Sequence, residues 1–397
     1  MRADKSSMDT NEDTMEIITI DDDIWEELIE ITDSAAGPCF QCGVCTATCP
    51  WGLVREQPLT VRTLMRNAQL GTLEDYENIW TCTTCKQCEA SCPRGVPIAE
   101  VFRGLRYMLW KRRELLEGLP SALWSVYWNN NPWFQPPSQR MLWADGIDPP
   151  IFDAKKHELL LYVGCTSSYD RRAQKIARSL IKIMDASGIH YGILGEDEPC
   201  CGEAVLSLGH QPYFEEVAQQ AAAKFSEQGV RVMVTVSPHC FDVFHNHYSD
   251  LNGEIEVLHY TQILNQWIQG HRSKLESPIN KTVTFHDPCY LGRWNQVYDP
   301  PRNILSSIPD LSLVEMESHG PEALCCGGGG GRMWVETKAG ERFSDLRVQE
   351  AARSGANVIA TACPFCIACL EDSLKAQDMH EMIVLDIAEI VAKSITE

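Results

Sequence analysis

The sequence predicts an α+β protein of several domains, with an all-helical, cysteine-rich domain followed by two duplicated α/β lobes. Three observations predict this. Apolar residues recur at helical spacing around two N-terminal cysteine runs, strand-like and helix-like stretches alternate in the second half, and the cysteines of that half repeat at a nearly constant interval. We divide the chain into an acidic N-terminal segment, a helical domain, a connector, a first lobe and a second lobe, with the boundaries 1–30, 31–115, 116–156, 157–272 and 273–397.

The composition is that of a folded protein with reduced thiols. The 397 residues are 44% hydrophobic and 22% charged, close to the average for soluble domains. The 18 cysteines belong to a long chain without signal-peptide features, so we expect free or metal-bound thiols. The net charge of −21 argues against a nucleic-acid ligand. No apolar run approaches the roughly 20 residues that cross a bilayer. We therefore expect a cytoplasmic protein that meets the membrane only through a partner subunit.

The acidic segment contains one short predicted helix. Residues 1 to about 15 have the composition of a disordered tail. The stretch DDDIWEELIEI then predicts a helix with Trp25, Leu28 and Ile29 on one side. Its acidic side chains either steer a basic partner or are simply solvated.

Two four-cysteine runs mark the helical domain. Each has two residues between its first three cysteines, three residues before the fourth, and a proline directly after it. In bacterial ferredoxins three cysteines of such a run bind one [4Fe-4S] cluster and the fourth binds the other. Zinc is a weak alternative, because zinc sites use pairs of cysteines rather than complete runs. We predict one cluster on Cys39, Cys42, Cys45 and Cys92, and another on Cys82, Cys85, Cys88 and Cys49.

The connector and the lobes differ in pattern. The stretch SALWSVYWNNNPWFQPPSQRMLW has no clear periodicity and is predicted to be an ordered connector that packs on its neighbours. Beyond it, HELLLYVG and VRVMVTV predict strands that KTVTFHD and NVIATA repeat. Cys289 follows Cys165 by 124 residues, and Cys326 follows Cys201 by 125. The duplication predicts two lobes of parallel sheet that face each other across a pseudo-twofold axis.

A sparser set of cysteines follows the predicted strands of the second lobe. Because sites form at the carboxyl ends of strands in open α/β sheets, these distant cysteines are predicted to converge. A run of glycines after the paired cysteines lets the backbone approach a bulky cofactor. The predicted site residues are Cys289, Cys325, Cys326, Cys363 and Cys366, with cofactor contacts from Gly327, Gly328 and Gly329.

These motifs resemble a known family. Residues 159–397 are similar to the paired cysteine-rich CCG domains of the heterodisulfide reductase family, and residues 35–110 are similar to its helical ferredoxin part. The order of domains resembles that of the HdrD subunit of heterodisulfide reductase and of the related DsrK subunit, while NNPWFQPPSQRMLW and CCGGGGGRMW look like the flavoprotein-linked members. The resemblance implies that the five second-lobe cysteines hold a noncubane [4Fe-4S] centre that cleaves disulfides.

The first lobe departs from the family pattern. Val243 stands at the position, three residues after the last cysteine, where we expect a fifth one. The remaining thiols either bind a further cluster, are a relic of the duplication, or line an interface with a partner. They are Cys165, Cys200, Cys201 and Cys240.

Three further side chains near the cysteines carry predictions. His286 is predicted to deliver a proton to a thiolate leaving group, and His239 is a second candidate. The alternative for both is a role in stabilising the fold. Cys369 extends the last motif to CPFCIAC and is predicted to be structural.

The resemblance implies two alternative functions. In the first, the chain is an oxidoreductase subunit of an anaerobic respiratory complex, and its two cubanes exchange electrons with the second-lobe centre, where a thiol or disulfide reacts. In the second, it is an electron-transfer adaptor between a flavoprotein dehydrogenase and membrane menaquinone, without substrate chemistry. The expected partners are other redox subunits, either a flavoprotein or a membrane cytochrome or quinone module.

Overall fold

The protein is described by a computed structural model that covers residues 22–55, 59–73, 76–248, 251, 255–270, 275–338 and 340–395. The predicted disordered tail lies outside these residues, as does the predicted boundary between the two lobes. The covered chain forms a helical domain, a connector and two lobes with small parallel sheets, which confirms the predicted fold class.

The helical domain is built from short helices around the cysteine runs. In α4 the buried residues Val61, Leu64, Met65 and Ala68 recur at helical spacing, so one face of the helix packs inward. The longest helix of this domain, α7, is buried along most of its length. The helices are α1 (Asp22–Ile31), α2 (Val44–Thr48), α3 (Trp51–Val54), α4 (Val61–Gln69), α5 (Tyr76–Thr81), α6 (Gln87–Ala90) and α7 (Ile98–Arg112).

The connector contains a helix that its lack of periodicity did not predict. Helix α8 (Leu119–Asn129) buries Leu119, Leu123 and Val126. Its opposite face is aromatic, because Trp124 and Trp128 are 61% and 72% exposed. Apolar residues on both faces remove the contrast from which helical periodicity is recognised.

Each lobe is a four-stranded parallel sheet with crossover helices. In the first lobe the strand order is β2-β1-β3-β4, and all four residues of β1 are buried, as expected for strands covered on both faces. Its elements are β1 (Leu159–Tyr162), α9 (Gly164–Tyr169), α10 (Gln174–Ser187), β2 (Tyr191–Gly192), α11 (Glu203–Ser207), α12 (Gln211–Glu227), β3 (Val232–Thr235), α13 (Pro238–Asn246), β4 (Glu256–His259) and α14 (Tyr260–Gly270).

The second lobe repeats this topology. Its strand order is β6-β5-β7-β8, and the pairing of Val283 with Val358 in the second sheet corresponds to that of Leu160 with Met233 in the first. Its elements are β5 (Lys281–Phe285), α15 (Asp299–Ser306), β6 (Leu311–Val314), α16 (Phe343–Arg353), β7 (Val358–Thr361), α17 (Pro364–Ala376), β8 (Ile383–Asp386) and α18 (Ile387–Ser394).

The two lobes pack through reciprocal helix contacts. Helix α10 of the first lobe contacts α18 of the second, and α15 of the second lobe contacts α14 of the first. The first crossover helix of each lobe therefore meets the last helix of the other. This is the arrangement that a pseudo-twofold axis produces.

Candidate iron–sulfur sites

The two cysteine runs of the helical domain share one backbone conformation. The residues on either side of the second cysteine are left-handed in both runs, namely Gln41 and Gly43 in the first and Thr84 and Lys86 in the second, with φ from 53° to 86°. A short helix, α2 or α6, begins directly after them. This sharp double turn wraps the chain around one point, so that three thiols of each run face the same cavity.

Each run completes the cavity of the other, in the grouping that the sequence predicts. Four thiols around one cavity form the donor set of a cubane cluster, so the residues present fit the implied cofactor. Their role as ligands remains a prediction. Cys39, Cys42, Cys45 and Cys92 line the first cavity, and Cys49, Cys82, Cys85 and Cys88 line the second.

Burial makes several of these thiols weak acids in the absence of metal. Burial, with further repulsion from neighbouring thiols, raises the pKa of Cys49 to about 12 and that of Cys88 well above its usual value. Burial also raises the pKa of Cys82 to about 11, although the nearby Arg106 opposes the change. Only a strong positive charge in the cavity, such as that of iron, would hold them as thiolates.

The five cysteines of the second lobe meet beyond the carboxyl ends of β5, β6 and β7, as predicted. Cys289 follows β5, Cys325 and Cys326 lie in the loop between β6 and α16, and Cys363 and Cys366 lie where α17 begins. The Sγ atom of Cys366 is 3.3 Å from that of Cys326, and Cys325 lies near enough to Cys289 to raise the pKa of its thiol. All five are buried, so they could hold a cluster away from water.

His286 lies beside this set as a neutral imidazole. Its Nδ1 accepts a hydrogen bond of 3.1 Å from Arg347 Nε, which assigns the ring proton to Nε2. Burial and the charges of Arg347 and Arg293 lower the pKa of His286 well below its ordinary value. A ring nitrogen of His286 and the Sγ atoms of Cys326 and Cys366 all lie within 4.8 Å of one another. The ring can therefore donate a hydrogen bond at this site, but its surroundings disfavour the imidazolium that the predicted proton delivery requires.

His239 belongs to the first lobe but reaches the second. It lies beside Cys363, near enough that each changes the pKa of the other, and its Nδ1 is 3.0 Å from Oε1 of Glu203. Burial disfavours its charge, yet Glu203 and Cys363 together raise the pKa of His239 to about 10. Although burial opposes it, the neighbouring Cys366 thiol and His239 ring lower the pKa of Cys363 to about 5. The two lobes thus build one polar contact together.

The four cysteines of the first lobe also come together. The Sγ atom of Cys201 is 3.4 Å from that of Cys240, and Cys200 lies near enough to Cys165 to raise the pKa of its thiol. All four are buried. The set offers four thiols, which is enough for a four-iron cluster.

Ser237 occupies the position of the fifth cysteine in the first lobe. The expectation that Val243 stands at this position was wrong. Helices α13 and α17 both begin at a proline that precedes Cys240 or Cys366 by two residues. Their N-cap residues are Ser237 and Cys363. The expectation treated Cys240 and Cys363 as equivalent residues of the two lobes. The starts of the two helices show instead that Cys240 is equivalent to Cys366. Val243 lies farther along α13, in the core.

An open cavity leads to the second-lobe cysteines. It encloses about 710 Å³ of space, part of it open to solvent, and its walls include Cys326, Gly327, Gly328, Cys369 and Arg332. Gly327 and Gly328 are therefore available for the cofactor contact that we predict. Cys369, predicted to be structural, is half-buried on the same wall. Burial, together with repulsion from other arginines, lowers the pKa of Arg332 to about 10, so an anion in the cavity would stabilise its charge.

Two later glycines allow the second lobe to approach the helical domain. A Cβ atom at Gly329 would lie 2.5 Å from the carbonyl oxygen of Thr83, and one at Gly330 would lie 2.4 Å from that of Cys82. The close approach that Gly329 permits is thus to the backbone of a cysteine run.

The second cubane cavity adjoins the second-lobe set. The thiols of Cys85 and Cys325, one from each, lie near enough to change each other's pKa, and Cys325 is the main cause of the raised pKa of Cys85. The hydroxyl of Thr83 also lies 3.9 Å from Sγ of Cys325. Arg293 of the second lobe donates a 2.6 Å hydrogen bond to the carbonyl of Cys85. The two candidate centres therefore share a boundary.

Sequence reasoning missed the buried arginines that join the domains. Arg106 donates to the carbonyls of Cys82 and Ser207, both at 2.6 Å, and links the helical domain to the first lobe. Its side chain is fully buried. A signal was available, since Arg103 and Arg106 interrupt the otherwise apolar face of α7. An arginine at such a position needs buried acceptors.

Comparison with known proteins agrees with this architecture. The model of the 4Fe-4S dicluster domain matches residues 35–96, and that of the CCG cysteine-rich domain matches residues 159–245 and 283–371. The fold and the cysteine sites thus define an iron–sulfur protein in which a dicluster domain precedes two cysteine-rich domains.

Three relatives are informative. The chain is 31% identical over 388 residues to the HdrD subunit of the dihydromethanophenazine:CoB–CoM heterodisulfide reductase of Methanosarcina barkeri, covering 90% of this chain and 93% of that one. It is 35% identical over 336 residues to the probable iron-sulfur-binding oxidoreductase FadF of Bacillus subtilis, covering 82% and 48%. It is 32% identical over 345 residues to the EtfAB:quinone oxidoreductase of Syntrophomonas wolfei, covering 83% and 48%.

The chain belongs to the HdrD family of heterodisulfide reductase subunits. It spans about half the length of FadF and of the EtfAB:quinone oxidoreductase. A solved structure, that of a hypothetical protein from Helicobacter pylori, matches 95% of this chain and 73% of its own with a TM-score of 0.47 and 12% identity. Within the described residues, no helix is both long enough and apolar enough to cross a membrane.

Proposed function

We propose that this chain is an iron–sulfur oxidoreductase subunit whose two cubanes exchange electrons with a noncubane [4Fe-4S] centre in the second lobe, where a disulfide is reduced to two thiols. The packing of the second cubane loop against Cys325, whose Sγ lies 3.9 Å from the Thr83 hydroxyl and close to the Cys85 thiol, carries the proposal. It joins the second cubane cavity directly to the five-cysteine set. Because electron transfer becomes slower with distance, a shared boundary between two centres favours transfer across it.

The cavity beside Cys326 supports a reaction with a substrate at this centre. A buried centre that only relayed electrons would not need an open cavity that ends at one of its thiols. The buried guanidinium of Arg332 would bind an anionic part of the substrate. Its Nη2 is hydrogen bonded to Thr337 at 2.9 Å, which holds it in the cavity wall.

Reduction of a disulfide consumes two electrons and two protons and gives two thiols. A noncubane cluster on Cys289, Cys325, Cys326, Cys363 and Cys366 would supply the electrons and a metal surface that binds sulfur. The residues of the chain would orient and desolvate the substrate. The Nε2–H of His286 would donate a hydrogen bond to sulfur at the inner end of the cavity.

The alternative is an electron-transfer adaptor between a flavoprotein and a quinone module. The names of two relatives, EtfAB:quinone oxidoreductase and the probable oxidoreductase FadF, favour it. In both proposals the chain works with other redox subunits and meets the membrane only through one of them. The two differ in whether the second-lobe centre reacts with a thiol.

A spectroscopic experiment separates the two proposals. Anaerobically purified, reduced protein is oxidised with and without a small thiol, and its electron paramagnetic resonance is recorded. We expect a signal that appears only with the thiol and is absent from the Cys326→Ala variant, which retains both cubane signals. Absence of a thiol-dependent signal from the unmodified protein, with rapid reduction of its clusters by a flavoprotein donor, would establish the adaptor.

A further inference from the structure

The beginnings of α13 and α17 identify residues that correspond between the two lobes. Both helices follow a strand that ends in threonine, and both begin at a proline. The sequences at these points are SPHC in the first lobe and CPFC in the second. His239 therefore corresponds to Phe365, and Ser237 corresponds to Cys363.

His239 and Phe365 meet at the boundary between the lobes. Their ring centroids are 4.6 Å apart. Residues that correspond by a twofold axis can touch only where they lie close to that axis. Each of the two side chains is therefore placed to act on the other lobe, and His239 lies beside Cys363, two residues before Phe365, so that each changes the pKa of the other.

The orientation of the His239 ring is fixed by its neighbours. Nδ1 is bonded to Glu203 Oε1 at 3.0 Å, and Ser207 donates to the same oxygen at 2.5 Å. Tyr290 of the second lobe stacks on the ring with centroids 3.9 Å apart. Since Nδ1 is engaged by Glu203, Nε2 is the ring nitrogen that can donate to Cys363. A carboxylate behind the imidazole is the usual arrangement for orienting a histidine near a metal centre.

The same chain of contacts continues to the helical domain. The hydroxyl of Tyr290 is 3.3 Å from that of Ser207 and 2.9 Å from that of Thr84. The backbone nitrogen of Thr84 in turn donates to Sγ of Cys82. The position of His239 is therefore determined jointly by both lobes and by the second cubane loop.

We infer that His239 is a positioning residue of the second-lobe centre, supplied by the first lobe, and that it donates a hydrogen bond to the Cys363 thiolate. The first-lobe centre lacks the reciprocal device, because Phe365 has no hydrogen-bond donor in its side chain and Ser237 replaces the thiol. The duplicated lobes thus differ at two linked positions. The second lobe has a thiolate that faces a side-chain donor from the other lobe, and the first lobe has a hydroxyl, Ser237, that faces no such side-chain donor. This inference rests on the proposed function only in that the second lobe binds a cluster.

The test compares His239→Phe, which copies Phe365, with His239→Gln, which keeps an N–H donor. Iron content and the midpoint potentials of all centres are measured in anaerobic protein by redox titration. A hydrogen bond to a ligand sulfur stabilises the reduced, more negative state of a cluster. We expect His239→Phe to shift the second-lobe potential to more negative values, leaving the cubane potentials unchanged. We expect His239→Gln to recover much of the difference.

Cys363→Ala distinguishes failure of this inference from failure of the proposed function. If Cys363→Ala removes the second-lobe signal while His239→Phe leaves its potential unchanged, His239 is not a positioning residue. Equal loss of second-lobe iron from His239→Phe and His239→Gln would also overturn the inference, since it would indicate a purely structural role. If Cys363→Ala changes neither iron content nor any signal, the second-lobe centre itself is refuted.

Discussion

At the scale of single residues, the distance between the candidate centres depends on positions where no side chain fits. Gly330 has φ of +62°, and its Cα faces the backbone of Cys82 and Thr83. The helical domain can approach the second lobe only because this position carries no Cβ. The sequence shows a run of glycines but cannot show which of them meets another domain.

Gly330→Ala should separate the second lobe from the helical domain. A Cβ atom would lie 2.4 Å from the carbonyl oxygen of Cys82, so the new overlap adds about 1–3 kcal/mol to the left-handed strain of roughly 1–2 kcal/mol. We expect a clear fall in the thermal midpoint and slower electron transfer between centres. Gly355→Ala is the matched control, because Gly355 has φ of +79° and nothing within 4 Å. Equal losses in the two variants would show that overlap is unimportant.

A buried ion pair joins the connector to the first lobe. Arg140 Nη2 is 2.6 Å from Oε1 of Glu198, and both side chains are 2% exposed. Glu198 also accepts the backbone N–H groups of Val163 and Gly164, directly before Cys165. The pair therefore shapes the turn that presents a first-lobe thiol.

Arg140→Met should destabilise the protein strongly. It leaves the Glu198 carboxylate buried without its cation, which typically costs about 3–5 kcal/mol. Chemical unfolding under anaerobic conditions measures the change. Lys156→Met is the control, since Lys156 pairs with Asp153 while 75% exposed, and it should cause no measurable change. A small effect of Arg140→Met would mean that water or a shift of Glu198 compensates.

At the scale of secondary-structure elements, the ends of strands and helices position the chemistry. The second-lobe cysteines follow strand ends, and Ser237 and Cys363 are both helix N-caps. The last helix, α18, is capped by Asp386, which accepts the hydroxyl of Tyr260 at 2.6 Å and the N–H of Ala388 at 2.9 Å. Because Tyr260 begins α14, this cap also connects the two lobes.

The Asp386 cap should make stability depend on pH. Burial raises the pKa of Asp386 from 3.8 to about 8. Between these values the unfolded chain releases a proton that the folded protein retains, so the contribution of Asp386 is complete below about pH 4 and is lost as the pH rises toward 8. Asp386→Asn should therefore lose less stability than the unmodified protein between pH 5 and pH 8. Thermal midpoints across this range provide the measurement, and parallel curves for the two proteins would contradict the prediction.

At the scale of the whole molecule, the helical domain contacts both lobes. Arg106 bonds to the carbonyl of Ser207 in the first lobe, and the carbonyl of Cys85 accepts from Arg293 in the second. Two cubane cavities and two lobe sites are thus held in one packed assembly. The number of filled sites is a property of this assembly, and it can be counted.

Anaerobic protein should contain about 12 iron atoms if the first lobe is empty and about 16 if its four thiols hold a cluster. Cys240→Ala decides between these values. It should leave a content near 12 unchanged, or lower a content near 16 by about four. Cys326→Ala should lower the content by about four in either case. A content near eight in the unmodified protein would remove the second-lobe centre from our account.

The cysteine runs, their predicted grouping in the helical domain and the duplication of the lobes can all be read from the amino-acid sequence alone. These features depend on short spacings and local periodicity, which tertiary packing can use but does not create. The sequence also indicated that Cys289, Cys325 and Cys363 would converge, because strands of a parallel sheet end on the same edge.

The residues that act across domains can be identified only from the way the folded chain packs. The structure identified Ser237 rather than Val243 as the counterpart of a ligand cysteine, since helix starts and not residue counts align the lobes. It also brought His239 to Cys363 and Cys85 to Cys325. Such contacts join residues more than a hundred positions apart, and they depend on how whole elements pack. No local pattern in the chain can specify them.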